Sequence, residues 1–208
     1  VDVNASVAPH FGVAWAPFDA LHVAGVVHTE QKLVIDTSFK ALLPSAVESS
    51  TSRRAVHDFV PWIVSAGGAF DLAPKAPRSV SLAGTLDYSL WSRYRDRHGD
   101  DPAEQGAAFG FKDTLGGSVG VHYAERDRGG LAAHLDATYV PTPVPAQSGR
   151  TNYVDNDRVG LVLGVSRTFE VFGLRLRPGA QVQGHALIKR HQAKNDALIV
   201  DEVPDGSL

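Results

Sequence analysis

Along most of this chain, apolar and polar residues alternate with a period of two, the signature of strands whose two sides meet unlike surroundings. The clearest stretch is 113–169. In its first run Leu115, Gly117, Val119, Val121 and Tyr123 share one side, and Thr114, Gly116, Ser118, Gly120 and His122 share the other. The next run sets Leu131, Ala133, Leu135, Ala137 and Tyr139 against Ala132, His134, Asp136 and Thr138. A third places Val159, Leu161, Leu163 and Val165 together, with Val162 interrupting the polar side. The same rhythm predicts strands over 6–15, 20 to about 36, 57–70, 79–90 and 176–188, giving about eight in all. Pro61 lies inside the third of these runs and predicts an irregularity there.

The connections between these strands alternate in length. Those at 16–19, 71–78, 126–129 and 170–173 are short, and those at 37–56, 92–112 and 141–156 are long. Antiparallel neighbours joined in this way carry short turns at one end and long loops at the other, as in outer-membrane barrels. The expectation is therefore an all-β, antiparallel transmembrane β-barrel spanning 1–208 as a domain or fragment, with an incomplete carboxy-terminal strand. Its apolar face would meet lipid, and its polar face would line a lumen through Asp87, His122, His134, Asp136, Gln181, Gln183 and His185. A β-sandwich or a lipocalin-like barrel shares the strand alternation but supplies no reason for the alternation of loop lengths.

Composition narrows this picture modestly. A net charge of −3 over 208 residues gives no pull toward nucleic acid, and with no cysteine there is neither a disulfide framework nor a thiolate metal site. No apolar run is long enough for a membrane helix. The chain starts at Val1 rather than methionine and reads as processed, trimmed or a fragment. Within the first long connection, Phe39, Leu42 and Leu43 fit one side of a short helical turn ended by Pro44, and are the candidate ligand-binding surface; a surface loop with anchoring apolar residues is the alternative. His134 and Asp136, two apart on a strand, are candidate neighbours. Ser118, Asp136 and a histidine form a hydrolase set in name only, and the run 116–120 lacks the lysine of a phosphate loop. No catalytic residue, metal or cofactor is assigned.

Several segments carry a resemblance. LDYSLWSRYRD, the run from FKDTL to YVPTPVP, and TNYVDNDRVGLVLGVSRTF resemble the later strands of the outer-membrane long-chain fatty-acid and hydrocarbon transporter family. FGVAWAPFDALHVAGVV and FVPWIVSAGGAFDL resemble its earlier strand-turn units. The resemblance implies a 14-stranded barrel with a luminal hatch, of which this chain shows about eight strands and no hatch. It implies uptake of long-chain fatty acids or other hydrophobic small molecules across the bacterial outer membrane. Hydrophobic small molecules and outer-membrane lipids would be the partners of a monomeric barrel, with no enzymatic activity. A structural, adhesion or passive-pore protein of the same membrane is the alternative.

Overall fold

A computed structural model of the chain describes residues 2–42, 48–94, 110–125, 130–145, 155–192 and 206–207. The strands are β1 (Asp2–Ala5), β2 (His10–Phe18), β3 (Leu21–His28), β4 (Gln31–Leu42), β5 (Glu48–Val60), β6 (Ile63–Asp71) and β7 (Arg78–Ser89). They continue with β8 (Thr114–Glu125), β9 (Leu131–Val140), β10 (Arg158–Arg167), β11 (Phe169–Val171), β12 (Leu174–Leu176) and β13 (Gly179–Leu187). Two short pieces, β14 (His191–Gln192) and β15 (Gly206–Ser207), pair with each other.

Eight of these strands make one antiparallel sheet in the order β13-β10-β9-β8-β7-β6-β3-β2. β2 and β13 are its two edges, and among the described residues no strand pairs with either outer side. The expected closed barrel is thus corrected to an open sheet. Period-two alternation reports that a strand has two unlike sides, which an open and a closed sheet share; it does not report whether the first and last strands meet.

β1, β4 and β5 form a separate three-stranded sheet. Here the expected loop at 37–56 is in large part a hairpin, with β4 paired along its whole length from Gln31↔Val60 to Leu42↔Glu48. Phe39 and Leu42 are therefore extended, opposite Thr51 and Glu48, and not helical. Leu43 lies outside the described residues. Backbone pairing in this Ser/Thr-rich ribbon outweighs the short apolar triplet. The run expected as one strand over 57–70 is divided by Pro61 and Trp62 into β5 and β6, since proline brings no donor to the ladder. Between β10 and β13, β11 and β12 form a two-residue hairpin through Phe172 and Gly173, both with positive φ, which is the backbone of a primed turn.

Only Phe59 and Val144 are buried hydrophobic side chains among the described residues, along with fully buried Pro61. Phe59 packs in an aromatic cluster with Trp91, Tyr94 and Phe111 at one end of the sheet, where ring centroids lie 4.4–6.4 Å apart. The rest of the apolar band, from Trp15 through Leu86, Val119 and Leu161 to Val182, is exposed on seven of the eight strands, the large apolar residues of β3 being half-buried. Among the described residues this single layer has nothing to bury that band against. Exposed apolar surface continuous over such a span marks an interaction face.

Candidate binding site

The polar face is built on glycine. Gly120 lies opposite Asp136 in the β8–β9 ladder, Gly164 opposite His134 in the β9–β10 ladder, and Gly160 opposite both Thr138 and His185. A Cβ at Gly120 would overlap the Asp136 carboxylate, and one at Gly164 would overlap the imidazole of His134. At Gly160 it would come within 2.5 Å of Thr138 Oγ1 and 2.9 Å of His185 Nδ1. Each glycine is therefore a notch over which a polar side chain from the neighbouring strand lies flat.

This arrangement gathers a small polar cluster. His122 and His134 face each other across β8 and β9, with ring centroids 5.8 Å apart. Asp136 lies between them: its Oδ1 is 2.7 Å from His122 Nε2 and its Oδ2 is 3.8 Å from His134 Nε2. The carboxylate thus bridges two imidazoles through separate oxygens. The three groups do not converge on one point, and among the described residues no group of His, Asp or Glu has the geometry to hold a metal ion. Ser118 is not drawn in either; its Oγ is 2.7 Å from Thr85 Oγ1. Acid and base are paired without the nucleophile that a hydrolase set would need.

Beside the cluster the face forms a shallow, open hollow of about 580 Å³, bordered by β2, β3, β6, β7, β8 and β9. Ala14, Ala16, Ala24, Gly67, Ala69 and Ala83 give it a small-residue surface, while His22, Thr85, Ser118, His122 and Asp136 supply polar groups. Of the residues anticipated on this face, His122, His134 and Asp136 are brought together. Asp87 belongs to a second hollow of about 620 Å³ toward the aromatic end, and the Ser65 hydroxyl donates to it at 2.5 Å. Gln181, Gln183 and His185 are exposed on edge strand β13, where Gln183 contacts His185. Sequence reasoning missed the notch glycines and the alanine walls. Their one signal was glycine recurring on the polar side of the alternation, and which residue each glycine faces depends on register.

At the aromatic end, two long connections are clipped in the same way. The Tyr88 hydroxyl donates to Asp113 Oδ2 at 3.0 Å while Ser92 N–H donates to Asp113 Oδ1 at 2.8 Å. The Tyr139 hydroxyl donates to Asp157 Oδ2 at 2.9 Å while Thr142 N–H donates to Asp157 Oδ1 at 2.8 Å. In each case the aspartate immediately precedes the next long strand, β8 or β10. The backbone donor at Ser92 holds Asp113 below the usual carboxylate range, assisted by the Tyr88 hydroxyl. Accepting carboxylates push the Tyr88 and Tyr139 phenols up. At the opposite end Glu125, accepting from the Tyr123 hydroxyl and then from Leu131 N–H, is likewise held low.

No family model matches this chain, and no curated protein is significantly similar to it. The open sheet overturns the resemblance to the fatty-acid transporter family and what that resemblance implied. Among the described residues the outer sides of β2 and β13 pair with no strand, and such donors and acceptors have no partner in hydrocarbon, which is why membrane-spanning sheets close on themselves. The expectations of a transmembrane barrel, of an outer-membrane location and of uptake, adhesion or a passive pore there are withdrawn on that ground. No helix among the described residues is long and apolar enough to cross a membrane.

Proposed function

We propose that this chain is a noncatalytic binding protein whose polar face takes up a small amphiphile, an apolar tail carrying one hydroxyl or amino head group. The observation that supports this is the 580 Å³ hollow with alanine and glycine walls beside the His122–Asp136–His134 cluster. Small-molecule sites are characteristically concave, within this size range, mostly apolar, and oriented by a few polar groups. The tail lies along Ala69 and Ala83. The head donates to the Asp136 carboxylate or accepts from an imidazole, whereas an ionised carboxylate head meets Asp136 as a like charge.

The test is isothermal titration with a primary alcohol, an amine and a carboxylate sharing one medium-length alkyl chain. The alcohol and amine are expected to bind more tightly than the carboxylate at neutral pH. Ala83→Trp, which fills the hollow, is expected to weaken all binding about tenfold or more, an order taken from the size of small-molecule hydrophobic contacts. Unchanged affinity in a folded Ala83→Trp chain, or no binding of any probe, removes the proposal.

A further inference from the structure

β13 is an edge of an unusual kind. Natural sheets blunt their edges with charge, proline or a bulge, because unpaired backbone groups template another strand. β2 follows that rule at one end, with Pro17 and a register shift between Trp15 and Phe18. β13 does not. Its sequence GAQVQGHAL has no Lys, Arg, Asp, Glu or Pro, its register with β10 is unbroken for nine residues, and every one of those residues is exposed.

The strand is also complementary to itself. Turned antiparallel about Gln183, it sets Ala180 against Ala186 and Val182 against Gly184 on the apolar side. On the polar side Gln181 meets His185, and Gln183 meets its own copy. Like meets like on both faces, and no formal charges oppose each other within the strand. Such self-complementarity is what a two-fold, isologous interface requires, and side-by-side glutamine amides can hydrogen-bond across it.

We propose that the outer edge of β13 pairs with β13 of a second copy of this chain, centred on Gln183, to make one continuous sheet from two protomers. The interface satisfies backbone groups that no strand among the described residues pairs with and carries the apolar and polar faces of one copy directly into those of the other. Just beyond the strand, Arg177 and Lys189 approach across the axis as like charges, so added salt tightens the pair.

The test is sedimentation equilibrium of the full chain in a mild nonionic detergent, which covers the apolar face and leaves edge hydrogen bonding as the associating force. The expected species has twice the 22.2 kDa chain mass. Gln183→Lys and Gln183→Glu each place like charges opposite one another and should weaken the dimer roughly fivefold or more; an equal mixture of the two should restore it. The proposal is overturned by a wild-type chain that stays monomeric, by a dimer that resists Gln183→Lys but is lost with Ala14→Lys in β2, or by two folded, monomeric variants whose mixture does not pair.

Discussion

The two faces of the eight-stranded sheet arise from one alternation, yet they are packed in opposite ways. On the polar face, side chains lie flat over glycines, with Asp136 over Gly120 and His134 over Gly164. On the apolar face, Leu161 and Leu163 stand about 60% exposed. Interlocking, and with it the specificity of the fold, belongs to the polar side. The apolar side holds unrealised stabilisation, on the order of 1.5–3 kcal/mol for each large side chain that becomes fully covered. The usual ranking of mutations is therefore inverted: adding atoms to the polar face costs more than removing them from the apolar face.

The largest effect is expected at Gly164. A β-branched side chain there must lift the His134 ring, because several of its atoms occupy the space of the new Cβ. Gly164→Val should destabilise by about 1–3 kcal/mol, the range for overpacking, in a urea titration. A loss no greater than that of Leu161→Ser would break the comparison between the faces. Gly120→Ala comes next. The Asp136 carboxylate is the far end of a flexible side chain and can swing aside, so the cost is chiefly its hydrogen bond with His122, about 1 kcal/mol. The same urea titration checks it, and a Gly120→Ala chain as stable as the parent means that the His122–Asp136 pair does not persist in solution.

Much of this was legible in the sequence, and what was not has identifiable causes. β7, β8, β9 and β10 lie within a residue or two of the alternating runs, and the largest aliphatic residues named for the last three, Leu115, Val119, Leu135, Leu161 and Leu163 among them, are found exposed. Each of those strands carries its own periodic signal. The β4–β5 ribbon was missed because ESSTSRRAVH has no apolar period, and its pairing rests on backbone bonds. Closure was misjudged because it depends on whether β2 meets β13, a relation between distant strands to which neither strand's own pattern speaks. For the candidate site, His134 and Asp136 could be placed as neighbours by spacing alone. His122 could join them only once the β8–β9 register was known, and the same register turned Gly120 and Gly164 from ambiguous glycines into seats for the cluster.

The clips at the aromatic end give a smaller, pH-dependent effect that separates the ends of the sheet from its faces. Asp113 is held below its ordinary value by Ser92 N–H and the Tyr88 hydroxyl. Its contribution is therefore fully present above the unfolded carboxylate pKa near 3.9 and is lost as the pH falls through the lower folded value. Tyr88 is shifted the other way: its contribution is present below about pH 10 and fades as the pH rises through the raised folded value. Asp113→Asn should thus lower the neutral plateau by a small amount, since both groups are exposed, and flatten the acid limb by the same amount. An acid limb identical to that of the parent chain would show that the clip contributes nothing in solution.

The smallest expected effect is Leu161→Ser, and it is the most informative about the apolar face. Leu161 is 59% exposed and lies opposite Ala137 and Gly184, neither of which is large enough to enclose it. Substitution at an uncovered position of this kind usually changes stability by no more than about 0.5 kcal/mol. Ala83→Trp and Gly164→Val act on the other face, so Leu161→Ser should leave amphiphile affinity in the hollow unchanged while lowering the binding of a hydrophobic dye to the sheet. A loss of about 2 kcal/mol or more would be the cost of truncating a buried leucine. It would mean that the apolar face is covered in solution, and that the contrast between the faces is one of partners and not of packing within a single chain.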